Sequence, residues 1–187
     1  PGTLNFYLSD PVKGAGLDPA TAVTIAGFVA GTYWFLMLIG RLISSVISGK
    51  VSSKLQLIVV SSFAILLVLA AMFVKPEIQT KFPAFTGSGF SMVTVPLTAL
   101  LLVLCGLCTS LMWGSIFNLA VEGLGKSTAQ ASGIFMMMVV GGGILPLLQN
   151  FIADKSSYML SYWVVVIALA YILWFAVAGS RVKKAKA

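Results

Sequence analysis

Five long runs without a charged residue divide the chain, and the charged residues fall between them. A helix needs about 20 mostly apolar residues to cross a bilayer, and an open sheet edge cannot face lipid. The pattern therefore predicts five transmembrane helices. They are expected at about 19–48, 54–75, 94–122, 127–153 and 157–180.

One uncharged run, 82–121, is longer than a single helix needs, and its first part is rich in glycine, proline, serine and threonine. Residues 83–96 read PAFTGSGFSMVTVP, a composition typical of a loop. We therefore expect the third helix to begin near Thr94. At later helix starts, Ser127 and Gln130 have the spacing of a capping box, and Ser156 and Ser157 can cap the fifth helix.

Composition supports a membrane protein, because 59% of the 187 residues are hydrophobic and only 9% are charged. A soluble domain has roughly 45–50% apolar and about 25% charged residues. The predicted fold class is an all-α integral membrane bundle. The chain has no histidine, five acidic residues and two cysteines, which argues against a histidine-based triad, a histidine-ligated zinc site and a disulfide scaffold. We expect no metal ion, no other cofactor and no enzymatic activity.

The basic residues divide unequally between alternate loops, and this division predicts the orientation in the membrane. One side carries eight basic residues and Glu122, whereas the other carries four basic and four acidic residues. The basic residues of the first side are Arg41, Lys50, Lys54, Lys126, Arg181, Lys183, Lys184 and Lys186. The positive-inside rule places this side and the C-terminus in the cytoplasm. The basic tail is expected to contact the lipid surface rather than nucleic acid.

With the C-terminus inside, five spans place residues 1–18 outside the membrane. The opening residues 1–14, PGTLNFYLSDPVKG, are interpreted as the outer end of a further helix and its exit loop. The predicted domain is therefore one incomplete six-helix unit over 1–187.

Several residues within the predicted spans need an explanation. Arg41 is the only charge embedded in an apolar stretch, and we interpret it as a gating or structural residue at the cytoplasmic mouth, with a simple anchor as the alternative. Gly141, Gly142 and Gly143 interrupt the fourth helix shortly before Pro146. Such breaks serve either close helix packing or a functional bend, and the sequence favours neither.

Polar and aromatic residues at membrane depth are candidates for a binding site. Neutral hydrogen-bonding side chains beside aromatic rings suit a sugar, which offers both hydroxyl groups and C–H faces. The candidate substrate-binding residues are Tyr33, Trp34, Thr109, Trp113 and Asn118. Gln149 and Asn150 lie deep in the fourth span as well. For each residue alone, interhelical hydrogen bonding or packing is the alternative, and the same packing role is assigned to Cys105 and Cys108.

Three segments resemble the fucose and glucose/galactose proton-symporter family of the major facilitator superfamily. The first runs from Ile116 to Ser132 in the pattern I-F-x-L-x-x-x-G-L-G-K-x-T-x-Q-x-S, and the second is V-G-G-x-I-x-P-L from Val140 to Leu147. The third is the Y-W-x-x-x-x-I-G-R helix that ends at Arg41, together with the opening N-F-Y-L-S-D-P.

The resemblance implies the C-terminal half of a twelve-helix transporter, located in the inner membrane. It implies uptake of a monosaccharide with protons by alternating access, with the N-terminal half of the same transporter as partner. Family members carry their proton-coupling carboxylates in that N-terminal half. A major facilitator transporter of another small solute, and a non-transporting membrane scaffold or sensor, remain the alternatives.

Overall fold

The computed structural model describes residues 19–47, 49–75, 78–85 and 90–180, so the opening segment and the basic tail lie outside the described part. Helix α1 is Pro19–Ile47, α2 is Ser53–Phe73 and α3 is Leu97–Val121. The fourth span contains α4, Thr128–Met137, and α5, Gly141–Lys155. Helix α6, Tyr158–Trp174, continues as a π-helical turn over Phe175–Gly179. Five helical stretches of the described chain are long and apolar enough to cross a membrane, which confirms the predicted fold class.

The segment between α2 and α3 is a β-hairpin, whereas the sequence predicted a loop there. Strands β1, Gln79–Phe85, and β2, Phe90–Pro96, pair antiparallel, with Gln79 opposite Pro96. Helix α3 begins at Leu97 rather than near Thr94. The reason is Pro96, because a residue that precedes proline is biased towards extended backbone. The helix therefore cannot start before the proline, and the β-branched residues of Val93 to Val95 favour a strand.

Helix α3 is the centre of the bundle and packs against both α1 and α2, while α6 packs against α2. One buried cluster fills the space between α2, α3 and α6 and includes Leu57, Val68, Met112 and Val166. A second cluster lies towards the hairpin and joins α1 to the end of β2 and the start of α3. The bundle is thus held from two sides of α3, and this fixes the residues of α1 and α3 that face each other.

Small residues bring α1 and α3 into close contact. A Cβ atom added to Gly40 would lie 2.9 Å from the Cβ of Ser110. The hydroxyl of Ser110 donates a 2.6 Å hydrogen bond to the backbone oxygen of Met37. Glycine and serine at such contacts let membrane helices approach closely and satisfy polar groups within the protein. The α1–α3 contact is therefore tight, and it positions the side chains described below.

The fourth span is irregular and is the least packed part of the described chain. A 3-10 turn, Met138–Val140, separates α4 from α5, and α5 begins with Gly141, Gly142 and Gly143. Apart from the backbone of the same helix and the adjacent residues, no heavy atom of the described chain lies within 4 Å of a Cβ built on any of these three glycines. Pro146 lies inside α5, where it removes a backbone donor. The predicted single helix over 127–153 is thus two helices joined by the turn.

The two predicted helix caps differ in outcome. The Ser157 hydroxyl accepts a 3.2 Å hydrogen bond from the backbone N–H of Leu160, which confirms the cap of α6. The capping box at Ser127 is wrong, because that side chain makes no capping hydrogen bond. A short 3-10 helix, Gly125–Ser127, precedes α4 instead, and Thr128 donates to the backbone oxygen of Gly125 at 2.7 Å.

Candidate functional site

A cavity of about 220 Å³ lies between α1, α2, α3, α5 and α6. Most of its wall is apolar and includes Val29, Val68 and Leu102. Its polar lining comes from Tyr33, Thr109, Gln149 and Tyr162. Binding pockets for small molecules are typically about 300–1,000 Å³ and combine apolar walls with a few placed polar groups. The cavity has this chemical character, but it is smaller than a complete pocket.

Tyr33 and Thr109 are hydrogen-bonded to each other across the α1–α3 contact, with 3.1 Å between their hydroxyl oxygens. Thr109 also donates to the backbone oxygen of Gly106 at 3.1 Å. A hydroxyl group has one hydrogen, so the hydrogen of the Tyr33–Thr109 bond comes from Tyr33. The phenol oxygen of Tyr33 then keeps lone pairs for a further partner. Within the cavity it is an acceptor for a donor such as a ligand hydroxyl group.

Gly106 determines how closely the Tyr33 ring approaches α3. A Cβ atom at Gly106 would lie 2.8 Å from Cδ2 of Tyr33 and 2.9 Å from its backbone oxygen. Any larger residue at 106 would therefore displace the ring, the backbone of α1 or both. The hydroxyl pair depends on this glycine, which the sequence analysis did not single out.

Gln149 and Tyr162 bring polar groups from the opposite wall of the cavity. Gln149 is a polar residue at membrane depth that stands outside the five candidates, and Tyr162 was not predicted. Tyr162 is one of three tyrosines in α6, so its phenol group alone could not single it out. Cys105 also lines the cavity, so this thiol, which was interpreted as a packing residue, borders the site. Both Cys105 and Cys108 are free and buried.

The other three candidate residues do not line this cavity. Trp113 is 44% exposed and contacts the ring of Phe135 on α4, with 5.5 Å between ring centroids. Asn118 is exposed and donates from Nδ2 to the Ser53 hydroxyl at 3.4 Å. Trp34 is 62% exposed and meets Tyr33 edge to face. The structure thus brings Tyr33 and Thr109 together and leaves the two tryptophans and Asn118 outside the cavity.

Trp34 and Arg41 share one exposed face of α1. Spacings of three, four and seven residues place them on the same side of the helix as Gly27, Leu38 and Ser45, and all five residues are exposed. No heavy atom lies within 4 Å of a Cβ built on Gly27. This exposed α1 face, which we define by these five residues, is therefore left largely uncovered by the other described elements.

Comparison with known proteins identifies relatives of the chain. The chain is 30% identical over 175 residues to a glucose/galactose transporter of Brucella abortus, covering 94% of this chain and 37% of that protein. A putative glucose/galactose transporter of Helicobacter pylori is 30% identical over 80% of the chain and 33% of its own length. The chain is homologous to this group of sugar transporters. An L-fucose-proton symporter of Escherichia coli is 29% identical over 52% of the chain and 21% of its own length.

The chain spans about a third of the length of the glucose/galactose transporters it matches. No family model matches it, and no solved structure matches it. The homology accords with five membrane spans and with the resemblance to the C-terminal half of a major facilitator transporter.

Proposed function

We propose that this chain is the C-terminal half of a secondary active transporter that takes up a monosaccharide together with protons. Fucose, glucose and galactose are the candidate sugars. The two halves of the transporter would rock around a substrate site near the bilayer midplane. This motion would open the site alternately to each side of the membrane. The proposed location is the inner membrane with a cytoplasmic C-terminus, in accordance with the excess of basic residues on one side.

The Tyr33–Thr109 pair is the observation that carries this proposal. The lone pairs that remain on the Tyr33 oxygen can accept a hydrogen bond, and every sugar hydroxyl group can donate one. The side-chain amide of Gln149 can both donate and accept, which matches the two roles of a hydroxyl group. The apolar remainder of the wall suits the C–H faces of a sugar ring. The names of the relatives, which are sugar transporters, support the same substrate class.

The N-terminal half of the same transporter is proposed to complete the site. The cavity of about 220 Å³ lies below the usual size range of small-molecule pockets, which is about 300–1,000 Å³. The exposed α1 face and the poorly packed fourth span are the surfaces on which that half would dock. In this arrangement Trp34 projects from α1 towards the interface, Arg41 lies near its cytoplasmic edge, and the break at Gly141 to Gly143 and Pro146 lets the fourth span bend.

The proton-coupling carboxylates are proposed to belong to the N-terminal half. In the described residues, the acidic side chains are Glu122 and Asp154. Glu122 lies directly after α3, and Asp154 lies in the last turn of α5. Both residues are exposed. A carboxylate that couples protons to sugar would instead lie within the membrane, near the site it serves.

The transport assay that tests this function uses the full-length protein in vesicles with an imposed inward proton gradient. Labelled fucose, glucose and galactose are supplied separately, and we expect at least one to accumulate above equilibrium. Collapse of the gradient with a protonophore should abolish that accumulation. Accumulation that survives the protonophore would contradict proton coupling. If none of the three sugars enters above the rate of empty vesicles, the proposed substrate class is wrong.

Trp113→Phe is expected to weaken sugar uptake at limiting sugar concentration without lowering the amount of protein in the membrane. The smaller ring would lose contact with Phe135 and with any substrate bound where the N-terminal half would complete the site. Trp163→Phe on α6 is the matched control, because Trp163 is 45% exposed, close to the 44% of Trp113, and is not among the residues that line the cavity. Equal uptake by both variants and the wild type would remove Trp113 from the site.

A further inference from the structure

A second concavity, of about 210 Å³, lies on the outside of the bundle where α1, α2 and α3 meet. Ile43 of α1, Val59 and Phe63 of α2, and Leu107 and Leu111 of α3 line it. Its lining is entirely apolar. We call this concavity the α1–α2 groove, because these two helices form its walls and α3 forms its floor.

The α1–α2 groove faces the surroundings of the bundle. Val59 and Phe63 are exposed, and they belong to a stripe on α2 that also contains Leu55 and Leu66. Spacings of three and four residues place all four side chains on one face of the helix. The other described helices leave this apolar face of α2 exposed. Lipid tails can therefore cover it in a membrane. The groove is a recess in this face at the depth of the acyl chains.

A basic residue lies at one end of the groove. The connection between the two groove walls contains Lys50, whose backbone N–H donates to the oxygen of Ile47 at 2.8 Å. Ile47 lies one helical turn beyond Ile43 of the groove. The Lys50 side chain is exposed, and no hydrogen bond or ion pair joins it to another residue of the described part. The neighbouring Lys54 differs, because its ammonium group donates to the backbone oxygen of Val177 at 3.3 Å.

We propose that the α1–α2 groove binds one acyl chain of an anionic phospholipid whose headgroup contacts Lys50. The apolar recess accommodates the tail, and the lysine lies at the end of the recess, where the headgroup of that lipid would be. Basic recesses between membrane helices are known to select anionic headgroups. The site is separate from the central cavity. It needs only that the chain spans a membrane, so it does not depend on which sugar is carried.

The test measures which lipid stays bound to the full-length protein after delipidation and incubation with an equimolar mixture of phosphatidylglycerol and phosphatidylcholine. Native mass spectrometry counts the retained molecules of each. We expect wild type to retain phosphatidylglycerol preferentially. Lys50→Gln should reduce that preference about fivefold, the effect of one basic residue near a lipid surface. Lys126→Gln is the matched control, since Lys126 is exposed at the same side of the bundle in another connection.

A second pair of variants tests the groove itself. Val59→Trp fills the recess with a large side chain and should lower retention of both lipids. Leu66→Trp places the same side chain on the exposed stripe of α2 outside the groove and should leave retention unchanged. Three results would overturn the proposal: equal retention of both lipids by wild type, equal effects of Lys50→Gln and Lys126→Gln, and equal effects of the two tryptophans. Absence of sugar uptake by the wild-type protein would contradict the proposed function and would leave the lipid proposal unaffected.

Discussion

Replacement of Gly106 by alanine is expected to abolish most sugar uptake and to lower the thermal midpoint of the full-length protein. The added Cβ would lie 2.8 Å from a ring carbon of Tyr33 and 2.9 Å from its backbone oxygen. Such distances are shorter than van der Waals contact, so α1 must move away from α3. Overpacking of this kind typically costs about 1–3 kcal/mol, and here it also separates the Tyr33 and Thr109 hydroxyl groups.

Gly114→Ala is the matched control, because it lies on the same helix and no heavy atom approaches its Cβ position within 4 Å. Alanine is the better helix former, so this variant should be as stable as wild type or slightly more so. For both variants, uptake is measured in vesicles and thermal unfolding is measured in detergent. Equal behaviour of Gly106→Ala and Gly114→Ala would mean that the close α1–α3 contact is absent in the protein.

Truncation of Tyr33 separates two sources of the clash at Gly106. The variant Tyr33→Ala removes the ring contact and leaves the contact with the Tyr33 backbone oxygen. Combined with Gly106→Ala, it should therefore lower the stability by less than the sum of the two single effects. It should not restore uptake, because the phenol group is missing. The division between ring and backbone follows from the two distances and requires no assumption about the substrate.

The spans could be predicted because charges mark their ends, and the length of an uncharged run is a direct consequence of bilayer thickness. The hairpin was missed because glycine and serine dominate the middle of the segment and hide the strand pattern on either side. Pro96 carried the information, since the residue before a proline avoids helical backbone. The break at Met138 to Val140 was indicated by the glycines that follow it, although the turn lies before them.

The site was predictable as a set of residue types but not as an arrangement. Tyr33 and Thr109 stood out as polar residues at membrane depth. Their pairing depends on the rotation of α1 against α3, and the glycine contacts at Gly40 and Gly106 fix that rotation. Helix periodicity alone contains no information about which faces of two helices meet. Gln149 and Tyr162 belong to spans whose position around α3 likewise follows only from packing.

Tyr33→Phe is expected to lower kcat/KM for the transported sugar about tenfold, because it removes the acceptor that the cavity offers to a sugar hydroxyl group. A neutral hydrogen bond contributes about 0.5–1.5 kcal/mol, and the upper end of that range corresponds to about a tenfold change. Thr109→Val should have a smaller effect, about threefold, since Tyr33 keeps its oxygen and loses only its orienting partner. Ser115→Ala is the control, because this buried hydroxyl bonds to Leu111 within α3 at 3.1 Å and does not line the cavity.

The double variant distinguishes a positioning role of Thr109 from an independent contact. If Thr109 acts by orienting the Tyr33 phenol, then Tyr33→Phe combined with Thr109→Val should lose no more than Tyr33→Phe alone. A loss of about thirtyfold, the product of the two single effects, would mean that each hydroxyl group binds the sugar separately. A series of monodeoxy sugars gives a readout that a merely structural role cannot produce. Wild type should transport one of these analogues about tenfold less efficiently than the parent sugar, and Tyr33→Phe should transport both equally, because the hydroxyl group that the analogue lacks has already lost its acceptor.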